Sequence, residues 1–566
     1  GLTVVLVEDQ QAPQVSFQLY VDRPIINEAG YAGTGHLMGQ LLSAGTLRRT
    51  KAEIDEIIET AGAKLRTHSH GATVSGAKDQ AETLMDVLAD CTRNAIFPED
   101  EFLEAVKLNQ SALVAQQEDP EAIAASVANQ LRYGANHPYG ERMTAKTLSN
   151  IPLSACRNFH RRYFRPQISY LIMVGDMNAE AARALAQRHF ASWTSEGKLF
   201  REFFDYPQPP PQRQVDFVSR VGAEQSVINI TYPIILKPDS KDVIVATVLN
   251  QILGGGPNSR LFQNLRGDKA YTSEVYSELE RDPNIGFFNA YASVGHEVTS
   301  SAVQEILREM ERLRDEQVTE AELQQARRQI REAFTQRLKQ PAVVAEFALN
   351  TLRYKLPQNY YSSYLDNLAK VSRKDIQAMA QKYLLPDRAH VLVVGPKSVV
   401  ERLKSLAANG RVNYFNPEGR VQEEVKLLGM ADITAEQVID KYVRAIGGQE
   451  RIMEISDMTT VMEGEVQGSV LTMTQEKKLG GKMHMTVKMS GMTVNETRVK
   501  GDQAQILQMG NPEEVDDNAL TDLQEQSIIF PEARFRELNY QVEMIGREAI
   551  RDQPTYVIKI TSPAGK

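Results

Sequence analysis

Apolar residues along the chain follow two different periods. Gly1–Val7 is rich in β-branched residues, and Val15–Val21 alternates apolar with polar positions, so the chain is predicted to begin with two strands joined by a polar turn. In Ala179–Ala191 and Thr319–Leu338 apolar residues recur every three to four positions, which predicts amphipathic helices. The combination predicts an α+β fold, with helices on one face of a mostly antiparallel sheet.

A pattern near residue 165 returns near residue 385. Tyr163–Pro166 precedes the predicted strand Tyr170–Gly175, and Tyr383–Pro386 precedes the predicted strand Val391–Gly395. The differences 383 − 163, 386 − 166 and 395 − 175 all equal 220. Matching offsets in matching contexts predict an internal duplication. The alternative is chance similarity between two αβ units.

The third part of the chain changes character. Thr434 and Gln437 have the spacing of a helix capping box, and Gly447-Gly448 is predicted to end that helix. The segment Lys482–Met489 then alternates with period two, and glycines separate further strands of the same kind. Between Met453 and Met544 lie ten of the 18 methionines. We therefore expect a β-rich module of hairpins whose methionines form either a core or an apolar groove.

Linkers divide the chain into predicted domains. Two αβ domains are expected at 1–205 and 215–425, joined by a stiff proline-rich linker at 206–214. A third module, a helix followed by strands, is expected at 430–566 and resembles loosely the half-barrels of periplasmic lipoprotein carriers. A chain that begins inside a strand and stops at a turn is expected to have been shortened at both ends.

Composition narrows the range of functions. The chain has 566 residues and a net charge of −9, so neutralisation of nucleic-acid phosphates is not expected. No apolar run reaches the length of a membrane-spanning helix. Cys91 and Cys156 are the two cysteines, and they predict either one disulfide or two buried thiols.

The segment Gly35–Thr46 carries the most informative pattern, with His36 near its start and Gly45-Thr46 at its end. It resembles the inverted zinc motif of the pitrilysin/insulinase family, H-x-x-E-H followed by an apolar stretch and Gly-Thr. In that motif two histidines on one helix face bind Zn²⁺, and the glutamate is the general base. Asn136–Gly140 also resembles a loop of the family. The resemblance covers about residues 1–425 and implies two duplicated metallohydrolase-like domains, similar to those of the mitochondrial processing peptidase.

Several positions of this motif depart from the family pattern. His36 matches the first ligand, but Gly39 replaces the glutamate and Gln40 replaces the second histidine. The family takes a further glutamate ligand from a helix about seventy to eighty residues downstream. Ala105–Gln117 contains no acid, and Glu118 lies at the predicted end of that helix. We predict that this chain binds no zinc and no other cofactor, and that His36 is an ordinary polar side chain.

The second domain carries a different family feature. Gly254–Gly256 precedes Ser259-Arg260-Leu261-Phe262, and this resembles the family segment that contributes an arginine and, seven residues later, a tyrosine to substrate binding and oxyanion stabilisation. Arg266 matches that arginine. Ser273 occupies the tyrosine position, whereas Tyr271 is two residues earlier and would share its face on a strand. Arg266 and Tyr271 are therefore candidates for substrate binding, and surface ion pairs are the alternative for Arg260 and Arg266.

Three functions follow from these observations. The first is a non-catalytic, exported or periplasmic subunit that contributes chamber walls and peptide binding to a homologous partner with an intact, zinc-bearing H-x-x-E-H. The second is a structural protein, or a binder of peptides or lipids, without a peptidase partner. The third is an active metalloendopeptidase with unusual ligands such as His68 and His70, which the alternation places on one strand face.

Overall fold

The apolar residues of the first domain meet in a five-stranded sheet. Phe17, Leu19 and Val21 on the second strand are each 0% exposed and face the helices. The strand order is β1-β5-β2-β4-β3, and the β1–β5 pair is parallel while the other pairs are antiparallel. The strands are β1 (Thr3–Glu8), β2 (Gln14–Val21), β3 (Lys64–His68), β4 (Gly71–Ala77) and β5 (Ser169–Gly175).

The described part of the same domain contains helices α1 to α8, and several begin where the sequence offers a cap. Thr50 forms a capping box with Glu53 at the start of α2, and Asp119 followed by Pro120 begins α5. The helices are α1 (Thr34–Gln40), α2 (Lys51–Thr60), α3 (Ala81–Arg93), α4 (Glu99–Gln116), α5 (Pro120–Tyr133), α6 (Ala145–Asn150), α7 (Leu153–Tyr163) and α8 (Ala179–Phe190).

The second domain repeats this topology. Its sheet has the order β12-β11-β6-β10-β7-β9-β8, in which the last five strands correspond to β1-β5-β2-β4-β3. Tyr170 of β5 pairs with Thr3, and His390, 220 residues later, pairs with Gln214 of β6. The strands are β6 (Gln214–Ser219), β7 (Gln225–Ile234), β8 (Thr272–Glu280), β9 (Gly286–Gly295), β10 (His390–Gly395), β11 (Val412–Phe415) and β12 (Val421–Gln422). The predicted duplication is confirmed.

The helices of the second domain also match those of the first in order. They are α9 (Val243–Gly254), α10 (Thr299–Asp315), α11 (Glu320–Leu338), α12 (Pro341–Arg353), α13 (Tyr364–Lys370), α14 (Arg373–Tyr383) and α15 (Val400–Leu403). A π-helix, Phe262–Asp268, follows α9. The differences 320 − 99 and 341 − 120 both equal 221, so α11 and α12 correspond to α4 and α5.

Each domain covers the sheet of the other with one helix. Ile123 and Val127 of α5 pack against Val218, Val227 and other apolar residues of the second sheet. Ala345 and Leu349 of α12 pack in turn against Val5 and Ile172 of the first sheet. This exchange joins the two domains into one compact unit, Gly1–Glu424.

A second unit, Val425–Lys566, contains the β-rich module. Thr434 caps the first helix through the predicted box with Gln437. A six-stranded antiparallel sheet follows in sequence order, and a separate hairpin, β19–β20, packs on α16. The elements are α16 (Ala435–Ala445), α17 (Gln449–Glu454), β13 (Asp457–Val466), β14 (Ser469–Lys478), β15 (Lys482–Met489), β16 (Met492–Lys500), β17 (Gln503–Gln508), β18 (Asn511–Glu513), α18 (Asp517–Gln526), β19 (Gln541–Ile550) and β20 (Gln553–Thr561). The predicted α+β class with a β-rich third module is confirmed.

This computed structural model describes residues 1–195, 197, 199, 202–220, 222–422, 433–466, 469–489, 491–513, 515–550 and 553–563. The predicted boundary between the second domain and the third module, at 425–430, lies outside them. Across these ranges no helix combines the length and apolar character needed to cross a membrane.

Cys91 and Cys156 are buried free thiols, and burial raises the pKa of each to about 12. The domain boundaries and the chain ends stay predictions.

Candidate functional site

Helix α1 places two candidate residues side by side on the surface. Its apolar side packs into the core through Leu37 and Met38, which are each 0% exposed. His36 and Gln40 lie on the opposite side and are exposed. Residues four apart share a helix face, so the spacing of the family's two histidine ligands is retained while only one imidazole remains.

Asn109 of α4 joins His36 and Gln40. The Oδ1 atom of Asn109 lies 3.0 Å from Nε2 of His36, and its Nδ2 donates to Oε1 of Gln40 at 2.8 Å and to the carbonyl of Ala105 at 2.7 Å. Asn109 is only 5% exposed. Three side chains from two helices therefore form one hydrogen-bonded cluster at the position of the family's zinc site.

Asn109 was not among the predicted site residues, because the family's third ligand is an acid and Asn109 is an amide. The signal was nevertheless present. Asn109 follows His36 by 73 residues, inside the window expected for the third ligand, and it is a polar residue on a helix face otherwise formed by Phe102, Ala105 and Leu113. Glu118, by contrast, lies beyond the end of α4 and pairs with Arg220 at 2.7 Å.

Gly39 occupies the position of the family's general base, and the space beside it is filled. A Cβ atom at Gly39 would lie 2.4 Å from the carbonyl carbon of His68 and 2.4 Å from the amide nitrogen of Ser69. Both are backbone atoms of the β3–β4 turn, so a larger residue requires this turn to move. A glutamate side chain at this position therefore has no room unless the turn moves.

Ser69 and His70 form this turn directly after His68, the last residue of β3, so the two histidines do not share a strand face, which corrects the prediction from alternation. Strand β3 ends at His68 and β4 begins at Gly71. The Nδ1 atom of His68 accepts from the backbone N–H of His70 at 3.1 Å, and Nδ1 of His70 lies 3.0 Å from the carbonyl of Val21. Burial, reinforced by nearby Arg23, lowers the pKa of His70 to about 4. These rings hold the turn in place through their Nδ1 atoms.

The candidate pair of the second domain lies around the start of β8. Arg266 is exposed, with its guanidinium 4.9 Å from the centre of the Phe262 ring. Tyr271 is half-buried and packs against the domain core, before β8 begins at Thr272. Ser273 lies in a β-bulge, because the register shifts between Thr272 and Glu274. The expectation that Tyr271 and Ser273 share a strand face is therefore wrong.

Two other predicted residues have defined partners. Arg260 pairs with Glu322 at 2.7 Å, which is the surface ion pair that the sequence left as an alternative. In the loop Asn136–Gly140, the hydroxyl of Tyr139 donates to Asp282 at 2.9 Å and accepts from Asn284 at 2.9 Å. This loop therefore connects the first domain to the β8–β9 turn of the second.

The residues of the α1–α4 cluster do not fit zinc. They offer one imidazole and two neutral amides, and amides are poor ligands for Zn²⁺. The amide hydrogens and the oxygen of Asn109 are already engaged by Gln40, Ala105 and His36. Within the described ranges, no group of three or more His, Cys, Asp or Glu residues is placed to hold a metal ion.

Fold and site together define, in the unit Gly1–Glu424, a pair of domains of metallopeptidase architecture in which the motif of the metal site is altered. Comparison with known families agrees with this class. The family described as "Insulinase (Peptidase family M16)" matches residues 3–137, and the one described as "Peptidase M16 inactive domain" matches residues 150–330. Together the matches span more than half of the chain, and the chain belongs to the M16, or pitrilysin/insulinase, family of peptidases.

Individual relatives are distant. The uncharacterized zinc protease YmxG of Bacillus subtilis is 22% identical over 343 residues, which cover 58% of this chain and 81% of the relative. An uncharacterized zinc protease of Mycobacterium bovis is 23% identical over 401 residues, which cover 67% of this chain and 88% of the relative. A peptidase M16 inactive domain of Pseudomonas fluorescens aligns at a TM-score of 0.64 with 20% identity, covering 70% of this chain and 96% of that one. A protease structure from Helicobacter pylori aligns at a TM-score of 0.63 with 20% identity, and the alignment covers 70% of this chain and 97% of that one.

Proposed function

We propose that this chain is a non-catalytic subunit of an M16-type peptidase assembly. It contributes chamber walls and peptide binding to a homologous partner that carries an intact H-x-x-E-H and the zinc. The observation that carries this proposal is the α1–α4 cluster, in which Gln40 and Asn109 replace two ligands. The backbone of the β3–β4 turn also occupies the space of the general base. As in its family, we expect the chain to be exported or periplasmic.

Arg266 is the residue proposed to act on substrate bound to the partner. Its side chain is exposed, and a guanidinium is a suitable donor to a peptide carbonyl or a developing oxyanion. Tyr271 packs against the core and is proposed to support this segment from behind.

Purified chain, purified zinc-motif homologue from the same genome and their mixture provide the test. We expect the chain alone to contain no stoichiometric zinc and to cleave no fluorogenic peptide, and the mixture to cleave faster than the homologue alone. Arg266→Ala should lower kcat/KM of the mixture by about tenfold, less than the roughly 10²–10³-fold typical of a lost oxyanion donor, because this arginine is exposed to water. Arg331→Ala, an exposed arginine on α11, is the matched control. Tightly bound zinc with turnover by the isolated chain would refute the proposal.

The β-rich module supports a second candidate function, the binding of an apolar peptide or acyl chain without a peptidase partner. Cross-strand register places Met462, Met473 and Val487 opposite one another on one face of the sheet. Helix α18 covers part of that face through Leu523, whereas Met462 is 45% exposed. Binding of a fluorescent fatty acid that Met473→Glu abolishes would favour this function, and faster cleavage by the mixture than by the homologue alone would favour the first.

A further inference from the structure

The orientation of the Asn109 amide follows from its contacts. The carbonyl of Ala105 only accepts hydrogen bonds, so the atom of Asn109 facing it at 2.7 Å is the NH2 group. The amide oxygen must then face His36, at 3.0 Å from Nε2. An oxygen acceptor requires a hydrogen on Nε2, which leaves Nδ1 of a neutral His36 as an acceptor. One backbone carbonyl thus determines the tautomer of an exposed histidine.

The same reasoning orients Gln40. Its Oε1 accepts from Asn109 Nδ2 at 2.8 Å, so its NH2 group points away from the cluster. Both side chains are exposed while Asn109 is 5% exposed, so the hub is buried and the two outer groups are accessible. The pair therefore presents one acceptor, Nδ1 of His36, and one donor, Nε2 of Gln40, from a single helix face.

We propose that His36 and Gln40, oriented by Asn109, bind one backbone unit of an extended peptide: its N–H donates to Nδ1 of His36, and its C=O accepts from Nε2 of Gln40. A residue of an extended chain presents N–H and C=O on the same edge, as it does to a neighbouring strand. The former metal site thereby holds a peptide through neutral hydrogen bonds that cannot cleave it. This inference rests on the proposed role in peptide binding and names the atoms that perform it.

Fluorescence anisotropy with the isolated chain provides the test. The probe is a labelled twelve-residue peptide of Ala, Leu, Ser and Gly with both ends capped, together with the same peptide N-methylated along its backbone. Gln40→Glu keeps the acceptor for Asn109 but replaces the outward NH2 by an oxygen. The affinity of the Gln40→Glu variant for the capped peptide should be about tenfold lower than that of wild type. One hydrogen bond is lost, and the peptide carbonyl then faces a second acceptor instead of a donor. The wild-type chain should bind the N-methylated peptide as weakly as the Gln40→Glu variant binds the capped peptide.

Gln110→Glu is the matched control, because it adds the same charge on α4 through a residue that donates to Ser149. It should bind the capped peptide like wild type. Asn109→Asp is a second variant: an aspartate cannot donate to Gln40, so the glutamine must turn its oxygen outward, and binding should fall as for Gln40→Glu. Equal affinity of Gln40→Glu and wild type, or of the two peptides, would overturn the proposal. Absence of binding by wild type would overturn it too, while faster cleavage by the mixture than by the zinc-bearing homologue alone would leave the proposed subunit role standing.

Discussion

Helices α4 and α11 begin 221 residues apart and occupy corresponding places in the two domains. The positions that face the interior are Phe102, Ala105 and Asn109 in α4, and Leu323, Ala326 and Ile330 in α11. Two of the three pairs are apolar in both domains. The third is an amide that bonds to α1 in the first domain and a buried isoleucine in the second. A single position on a shared helix therefore separates a polar site from ordinary core packing.

The domains agree more closely where a helix approaches the edge of its sheet. In the first domain Gly39 of α1 lies against the backbone of His68 and Ser69, and in the second Gly254 of α9 lies against the backbone of Ser277. Glycine permits this approach in both places because it carries no Cβ. The two domains therefore share their backbone packing, whereas the polar character of the site in the first domain depends on a few side chains.

The largest expected effect comes from breaking the exchange of helices that joins the two domains. Val127 on α5 is 0% exposed against the second sheet, so Val127→Asp buries an unpaired carboxylate there. We expect a loss of about 4 kcal/mol in the free energy of unfolding of the two-domain unit, measured by urea denaturation. Ala125→Asp, on the exposed side of the same helix, should change it by less than about 0.5 kcal/mol. Equal stability of the two variants would show that the exchange does not join the domains.

Exchanging the residues at the third helix position should have a strongly asymmetric effect. Ile330→Asn places an amide among apolar neighbours and should cost about 3 kcal/mol of unfolding free energy. Asn109→Ile removes hydrogen bonds whose remaining partners, His36 and Gln40, are exposed to water, and should cost only about 1 kcal/mol. Differential scanning calorimetry would check both values, and similar costs would contradict the assignment of Asn109 to a binding cluster.

The two glycines should respond alike. Gly39→Ala and Gly254→Ala each bring a Cβ to 2.4 and 2.3 Å from backbone atoms, so each should lower unfolding free energy by about 2 kcal/mol. Gly30→Ala, where a Cβ meets nothing within 4 Å, is the control. A tolerant Gly39 beside an intolerant Gly254 would indicate that the β3–β4 turn can move and that the first site can admit a side chain. Thermal unfolding of the three variants would decide.

The smallest expected effect is a pH dependence that arises in the first domain. Burial beside Arg23 lowers the pKa of His70 to about 4, whereas the unfolded chain takes up a proton near the ordinary value of about 6.5. The unfolded state therefore binds more protons below that value, and stability falls as the pH falls from about 6.5 towards about 4. His70→Asn should remove about 1 kcal/mol of the stability lost between pH 7 and pH 5.5. Urea denaturation at both pH values would measure this, and parallel losses in wild type and variant would contradict it.

Much of the fold and part of the site follow from the sequence. Period-two alternation located strands, the capping box at Thr434 located one helix start, and two similar short segments 220 residues apart located the duplication, because each signal can be read from residues that are neighbours along the chain. The replacement of the motif's glutamate and second histidine was visible in Gly39 and Gln40. The turn at His68–His70 was not, since alternation of polar residues does not distinguish a strand from its hairpin turn.

The duplication, the M16-type resemblance and the altered zinc motif could all be predicted from the sequence, because each is recognised from short segments of neighbouring residues. Only the tertiary structure decided that Asn109 joins His36 and Gln40, that a distant turn closes the space beside Gly39, and that each domain covers the other's sheet. These features depend on contacts between segments up to several hundred residues apart. Their geometry is determined by core packing, which no local pattern records.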